Sequence, residues 1–230
     1  MVSSREGLVR SFFSDTGKSY DKVVQTFTLG LDSYWKEEIL KLVPQSSRIL
    51  DLGCGTGILT EYLARQNPFA EIIGVDITED YLAIYRERLK NYPWIHAQPI
   101  LSNAETVLLE GEFDAVVSSY LAKYVEPELL LHNVAPHLRI GGVFIAHDFT
   151  LPINPVYQNA WAIYTWAMNH VGSIWYPEWH TVFDEGLSRL IRETRWMDKF
   201  QEALRGQGFE DVKSRQLSFQ TAGIIWGKKA

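Results

Sequence analysis

The sequence is poor in the groups that staple or tether a chain. It has one cysteine, Cys54, among 230 residues. An intramolecular disulfide and a zinc site built on several thiolates are therefore excluded. No run of about 20 apolar residues occurs, so no membrane span is expected. The opening residues Met1 to Gly7 lack the apolar stretch of a secretory signal. No basic block stands out against the formal net charge of -6, so a nucleic-acid partner is not expected. No trio of His and carboxylates has metal-ligand spacing, and no metal is expected. One further gap is local. Between Asp148 and Glu178 there is no Asp, Glu, Lys or Arg.

What is present is apolar and aromatic: 46% hydrophobic residues, with 8 Trp, 11 Tyr and 11 Phe. That is ample for a packed core. The first 45 or so residues carry helical periodicity, most clearly from Tyr20 to Leu42, until Pro44 breaks it. Short apolar runs then alternate with helical ones. Strands are expected at 47–52, 71–75, 95–101, 113–118 and 143–149, with Gly141-Gly142 as a turn before the last. Helices are expected at 58–65, 79–89 and 127–138. This alternation predicts an α/β fold: a Rossmann-like, seven-stranded, mostly parallel sheet with helices on both faces, completed by strands at 211–219 and 221–226. Residues 1–230 are read as one domain, with an N-terminal helical cap (1–45), a cofactor-binding core (46–150), a helical insertion (151–205) and closing strands (206–230).

The sharpest motif is Asp51-Leu52-Gly53-Cys54-Gly55-Thr56-Gly57, where an apolar strand runs into three glycines and then a helix. Such glycines let the backbone turn sharply and approach a ligand, and the helix start offers free N–H donors. The second strand ends in Asp76, an acid able to bind two adjacent ribose hydroxyls. A dinucleotide fingerprint needs its third glycine where Ile58 stands, so a pyrophosphate is disfavoured. An acid ahead of the glycines suits a ligand with an ammonium group. S-adenosylmethionine has that group, a ribose diol and no phosphate.

The arrangement resembles class I S-adenosylmethionine-dependent methyltransferases. Three further segments, in order, are similar to the ubiquinone/menaquinone biosynthesis C-methyltransferases: Phe13 to Asp21 with Gly30 to Lys36, Gly141-Gly142 with Asp148 to Pro152, and Gly208 to Trp226. The resemblance implies cofactor contacts at Tyr20, Asp51, Gly53, Gly55, Gly57, Asp76, Ile77, Asn103, Ala104, Ser118 and Ser119. That family carries Arg-Asn after the fourth strand and Glu at the end of the fifth. Here Lys123-Tyr124 and Asp148 stand in those places. Lys123, Tyr124, His147 and Asp148, at expected strand ends, are the candidates for acceptor chemistry, because ligands bind at that edge of an open parallel sheet.

In the uncharged segment Tyr157, Trp161, Tyr164 and Met168 share one helix face, and Val156, Ala160, Ile163, Ala167 and Val171 line the next. The segment is read as a lid over an apolar acceptor pocket, with Tyr157, Trp161, Tyr164, Trp175 and Tyr176 as substrate contacts. An ordinary core or homodimer interface is the competing reading. The expected activity is methyl transfer to a small apolar acceptor, aromatic or quinol-like, with C-methylation favoured. O- or N-methylation of another metabolite and a non-catalytic binding module are the alternatives. The expected setting is cytoplasmic, with peripheral membrane contact left open for a lipid-soluble quinol.

Overall fold

The computed structural model describes residues 4–184 and 186–230. Three helices open the chain: α1 (Ser4–Phe13), α2 (Gly17–Phe27) and α3 (Leu31–Leu40). The periodic run from Tyr20 to Leu42 is thus two helices rather than one. The break falls where Leu29 and Gly30 adopt left-handed φ of 53° and 77°, a conformation that stops helical hydrogen bonding.

The sheet follows as β1 (Arg48–Leu52), α4 (Ile58–Gln66), β2 (Glu71–Asp76), α5 (Glu79–Asn91), β3 (Ala97–Leu101), β4 (Phe113–Ser119), α6 (Pro127–Val134) and β5 (Leu138–Phe149). Next come α7 (Pro155–Trp175), α8 (His180–Phe183), α9 (Gly186–Glu193), α10 (Trp196–Gly206), β6 (Phe209–Leu217) and β7 (Ala222–Lys229). Strand order is β3-β2-β1-β4-β5-β7-β6. β7 runs antiparallel to both β5 and β6, and the other pairings are parallel. The fold is therefore the expected seven-stranded, mostly parallel sheet.

Two boundaries differ from the sequence reading. α6 ends at Val134, followed by a 3-10 turn at Ala135–His137, and β5 already begins at Leu138. Gly141-Gly142 is therefore inside β5, not a turn before it. The strand is irregular there, with Gly141 at φ 76° and a register shift against Phe113 and Ala115. A Cβ on Gly142 would lie 3.0 Å from the Asp114 carbonyl oxygen, so the bulge needs glycine.

Alternating side chains of the central strands feed two cores. Leu50, Val116 and Phe144 pack with Leu130 of α6 and Phe200 of α10. Ile49, Val117 and Ile145 pack with Trp35 of α3 and Leu63 of α4. Both faces are covered, which is why these strands read as continuous apolar runs. A third cluster joins the N-terminal helices to the insertion: Phe12 and Val23 with Tyr124, Trp179, Val182 and Phe183.

Candidate active site

Two chambers meet above the carboxyl ends of the strands. The first is a cleft at β1, β2 and β4. The loop after β1 turns on Gly53, Gly55 and Gly57, all at left-handed φ. At Gly57 a Cβ would fall 2.4 Å from the Tyr85 ring, so only glycine lets α4 start there. The amides of Gly53 and Cys54 both donate to the Val75 carbonyl (2.7 and 3.1 Å), which ties the loop to β2. The carboxylate of Asp76 is pinned by two backbone amides, Gly55 N–H at 2.9 Å and Thr78 N–H at 2.8 Å. Burial raises its pKa, and those amides oppose the shift.

Asp51 lies beneath this loop at 1% exposure. One carboxylate oxygen accepts from the Thr60 hydroxyl (2.7 Å), which in turn accepts from Tyr85 (2.9 Å). The other oxygen has no partner in the protein. Burial pushes the Asp51 carboxyl up to about 7. A buried carboxylate with an open oxygen is an incomplete polar group of the kind a ligand ammonium would complete, although Asp51, like Gly57, lies behind the cleft lining rather than in it. The donor set therefore fits S-adenosylmethionine: Asp76 for a ribose diol, Asp51 for an ammonium, and the segment around Asn103 for adenine.

Gly53, Gly55, Asp76, Ile77, Asn103, Ala104 and Ser119 line the cleft, together with Tyr20. Asn103 accepts from the Glu105 amide (2.9 Å) and donates to Glu6 (3.3 Å). Ser118 faces the core instead, with its hydroxyl unpartnered at 1% exposure. Sequence reasoning missed Glu6, Val9 and Phe13, which α1 folds over the cleft, and Tyr81 of α5. The free space beneath α1 is about 90 Å³.

The second chamber is a cavity of about 610 Å³ whose walls come from α2, α3, α7, α8, α9 and the turn before β7. Tyr157, Trp161 and Tyr164 line it, as their shared face predicts, and Tyr164 donates to the Phe27 carbonyl at 2.6 Å. Trp175 and Tyr176 do not. α7 continues as one helix, which carries Trp175 past the cavity to 66% exposure, and Tyr176 packs edge-on against Phe27. Val23, Val24 and Phe27 of α2 and Phe219 were missed. α2 is periodic enough to find, but nothing in its own sequence says which element it faces.

Of the four candidates for the chemistry, Lys123 and Tyr124 line this cavity. The Lys123 ammonium lies 2.5 Å from Asp148 Oδ1, donates to the Tyr120 carbonyl at 3.2 Å, and sits 4.5 Å from the Tyr124 ring centre. Burial lowers the Lys123 pKa, and the Asp148 carboxylate opposes that shift. Asp148 itself is fully buried behind Lys123, where it also accepts from the Lys123 and Phe149 amides. His147 lines neither chamber. It is fully buried against Trp35, its Nδ1 3.0 Å from the Ser119 hydroxyl, and burial depresses its pKa well below 6.5. Alternation along β5 put His147 and Asp148 on opposite faces, and both faces are packed.

An unforeseen network supports the junction. Tyr120, at left-handed φ 69°, donates to Asp32 at 2.8 Å, and Asp32 pairs with Lys36 one helical turn along α3. Among the described residues, no group of His, Cys, Asp and Glu is arranged to hold a metal.

Comparison with known proteins agrees with this geometry. A family model described as the ubiE/COQ5 methyltransferase family matches residues 1–229. Relatives include a demethylmenaquinone methyltransferase of Lactococcus lactis, 25% identical over 98% of this chain and 85% of its own. Another is the ubiquinone/menaquinone biosynthesis C-methyltransferase UbiE of Geobacter sulfurreducens, 23% identical over 96% of this chain and 88% of its own. Among solved structures, an S-adenosylmethionine-dependent methyltransferase of Methanococcus maripaludis, so described provisionally, superposes with a TM-score of 0.66. It is 16% identical and covers 93% of this chain and 92% of its own. The plantazolicin methyltransferase BpumL in complex with SAH gives 0.63 at 16% identity, covering 98% and 95%. At those identities the structures share the fold.

Proposed function

The chain belongs to the ubiE/COQ5 methyltransferase family, and we propose that this S-adenosylmethionine-dependent enzyme methylates a ring carbon of a flat, apolar, quinol-like acceptor. The observation that carries the reading is the position of Lys123: a buried cation in the wall of an aromatic cavity that adjoins the cofactor cleft. When bound, the cofactor supplies an electrophilic methyl group that needs no further activation. The chain's own task is to hold the acceptor in line and make its carbon nucleophilic.

A ring carbon beside a hydroxyl becomes nucleophilic once that hydroxyl has given its proton to water; as the carbon takes the methyl the sulfur–carbon bond breaks, and the carbon's own proton then leaves to water and restores the ring. An ammonium next to the oxygen stabilises the developing negative charge in a site that excludes water. Lys123 is built for that task. Two of its three donors are used by Asp148 and the Tyr120 carbonyl, which fixes its direction. Its ion pair with Asp148 makes it an electrostatic partner rather than a base. A lysine offers one point charge where the family's usual arginine offers a planar fork. The acceptor oxygen is therefore held by a single hydrogen bond, with orientation left to the aromatic walls.

The same reading supports a peripheral membrane contact. The outer face of α7 exposes Val156, Ile163, Trp166 and Ile174, and it adjoins Tyr157 and Phe219 at the cavity. An uncharged helix of this kind suits a lipid surface from which an apolar acceptor arrives.

The test is a panel of reduced naphthoquinols, benzoquinols and simple phenols, incubated with protein and S-adenosylmethionine and read by mass spectrometry. A methyl on a ring carbon of a reduced quinol is the expected product. Protein that binds the cofactor yet methylates only oxygen or nitrogen, or no quinol, rules the acceptor class out.

A further inference from the structure

Among the described residues, four side chains, all aromatic, line both chambers: Phe13 from α1, Tyr20 from α2, and Tyr120 and Tyr124 after β4. A methyl group that leaves the cofactor cleft and enters the acceptor cavity passes between these rings. The donor atom of the cofactor is a sulfonium, so the neck must hold a positive charge before transfer and a neutral thioether after it.

The four rings are not equivalent. Lys123 sits against the ring of Tyr124 at 4.5 Å, and Lys36 sits 5.4 Å from the ring of Tyr120. Those two rings already hold cations of the protein. Among the described residues, no Lys or Arg lies over Phe13 or Tyr20. Both are instead fixed by other rings. Tyr20 lies 4.9 Å from Tyr81 and stacks on Trp179 at 6.0 Å, while Phe13 meets Tyr124 edge-on at 5.8 Å and Trp179 at 6.2 Å. The surroundings of Tyr20 are negative: after burial and Tyr81, the nearby carboxylates of Asp32, Asp76 and Asp21 raise its phenol pKa. An aromatic face in a buried, negatively biased site is where a weakly hydrated cation is held best.

We propose that Tyr20 and Phe13 form an aromatic cage for the cofactor's sulfonium, so that the neck binds the charged donor in preference to its neutral demethylated product. Asp76 and Asp51 recognise parts of the cofactor that do not change in the reaction, so they cannot distinguish donor from product. The rings face the one atom whose charge is lost, and their attraction ends as the methyl leaves. The inference rests on use of S-adenosylmethionine and not on the identity of the acceptor.

Titration calorimetry with S-adenosylmethionine and S-adenosylhomocysteine, in the absence of acceptor, reads the cage directly. In the unaltered protein the donor should bind more tightly than the product. Tyr20→Leu should lower that preference about thirtyfold, chiefly through weaker donor binding, as expected for the loss of a desolvated cation–π contact. Tyr20→Phe, which keeps the ring and removes the hydroxyl, should keep the preference. An unchanged ratio in Tyr20→Leu overturns the cage. So does an equal loss in Tyr20→Phe, which would assign the effect to the hydroxyl. Should circular dichroism show that Tyr20→Leu does not fold, Phe13→Leu takes its place. A similar fall in the ratio is then expected, and an unchanged ratio overturns the proposal.

Discussion

The cofactor cleft and the acceptor cavity share a neck but are made in opposite ways. The cleft is local. The turn from Asp51 to Gly57 and the acid at the end of the next strand form its floor, held by backbone amides, and Asn103 and Glu6 add polar groups at its edge. The cavity is assembled from residues as far apart as Phe13 and Thr221, and its walls are mostly aromatic and aliphatic side chains. The cleft recognises charge and hydrogen bonds on a ligand of fixed structure. The cavity offers shape, apolar contact and one buried cation. A site built on backbone tolerates little change, whereas one built on side chains of separate helices can be re-cut for another acceptor while the cleft stays as it is.

Substitutions on either side of the neck should separate the two chambers, and the largest effect is expected at Lys123. Lys123→Met alone leaves Asp148 charged and buried without its partner, which costs about 3–5 kcal/mol of stability. The cleaner variant is Lys123→Met with Asp148→Asn. Its kcat should fall by about 10²–10³, the usual effect of removing one donor from a developing oxyanion. Its affinity for S-adenosylmethionine should be unchanged. Turnover close to that of the unaltered protein would remove Lys123 from the chemistry.

A smaller effect is expected at Trp161, which is buried in the cavity wall. Trp161→Ala should raise the acceptor KM roughly tenfold, corresponding to ~1.4 kcal/mol of lost apolar contact. Cofactor affinity, read by calorimetry, should stay level. If folding or association is lost while acceptor kinetics in the surviving protein are normal, the helix is core or interface and not an acceptor wall.

The smallest effect is a pH dependence confined to the cleft. The folded-state pKa of Asp51 is raised from 3.8 to about 7. An ammonium ligand favours the ionised form, so binding releases a proton below that pH. Cofactor affinity should rise from pH 6 to pH 8 by at most about tenfold and then level off. Without ligand the sign for stability is the reverse. The contribution of Asp51 is present below about 4 and is lost as pH rises through about 7. Asp51→Asn should flatten both profiles, as read by calorimetry and by thermal melts across pH. A cofactor affinity that varies with pH as before in Asp51→Asn would place the titrating group elsewhere.

The contrast between chambers also explains what the sequence could reveal. The central strands and glycine turns announce themselves because burial on both faces and left-handed backbone each leave a local mark. The cleft residues Gly53, Gly55 and Asp76 follow from that mark, whereas Asn103 comes only from the family resemblance. Tyr157, Trp161 and Tyr164 follow from helical period. Period alone gives direction around a helix but not distance along it, so Trp175 and Tyr176 were drawn into a cavity that ends before them. The role of Phe13, Phe27 and Phe219 depends on how distant elements dock. Tyr120 is the clearest loss. Its left-handed backbone aims the hydroxyl at Asp32, and no local pattern marks a tyrosine for that conformation.

The turn between β6 and β7 joins pieces of the acceptor side that are otherwise far apart. Ser218, Phe219 and Gln220 are all left-handed there. The Ser218 hydroxyl accepts from the Trp35 indole of α3 at 2.8 Å. The Gln220 side-chain oxygen accepts from the amides of Ile153 and Asn154 at the start of α7, and its carbonyl accepts from Thr150 at the end of β5. During synthesis the ribosome releases β1, β2, β4 and the glycine turn long before this turn emerges. This hairpin leaves the exit tunnel after α7 and works as a latch that ties the start of that helix to β5 and α3.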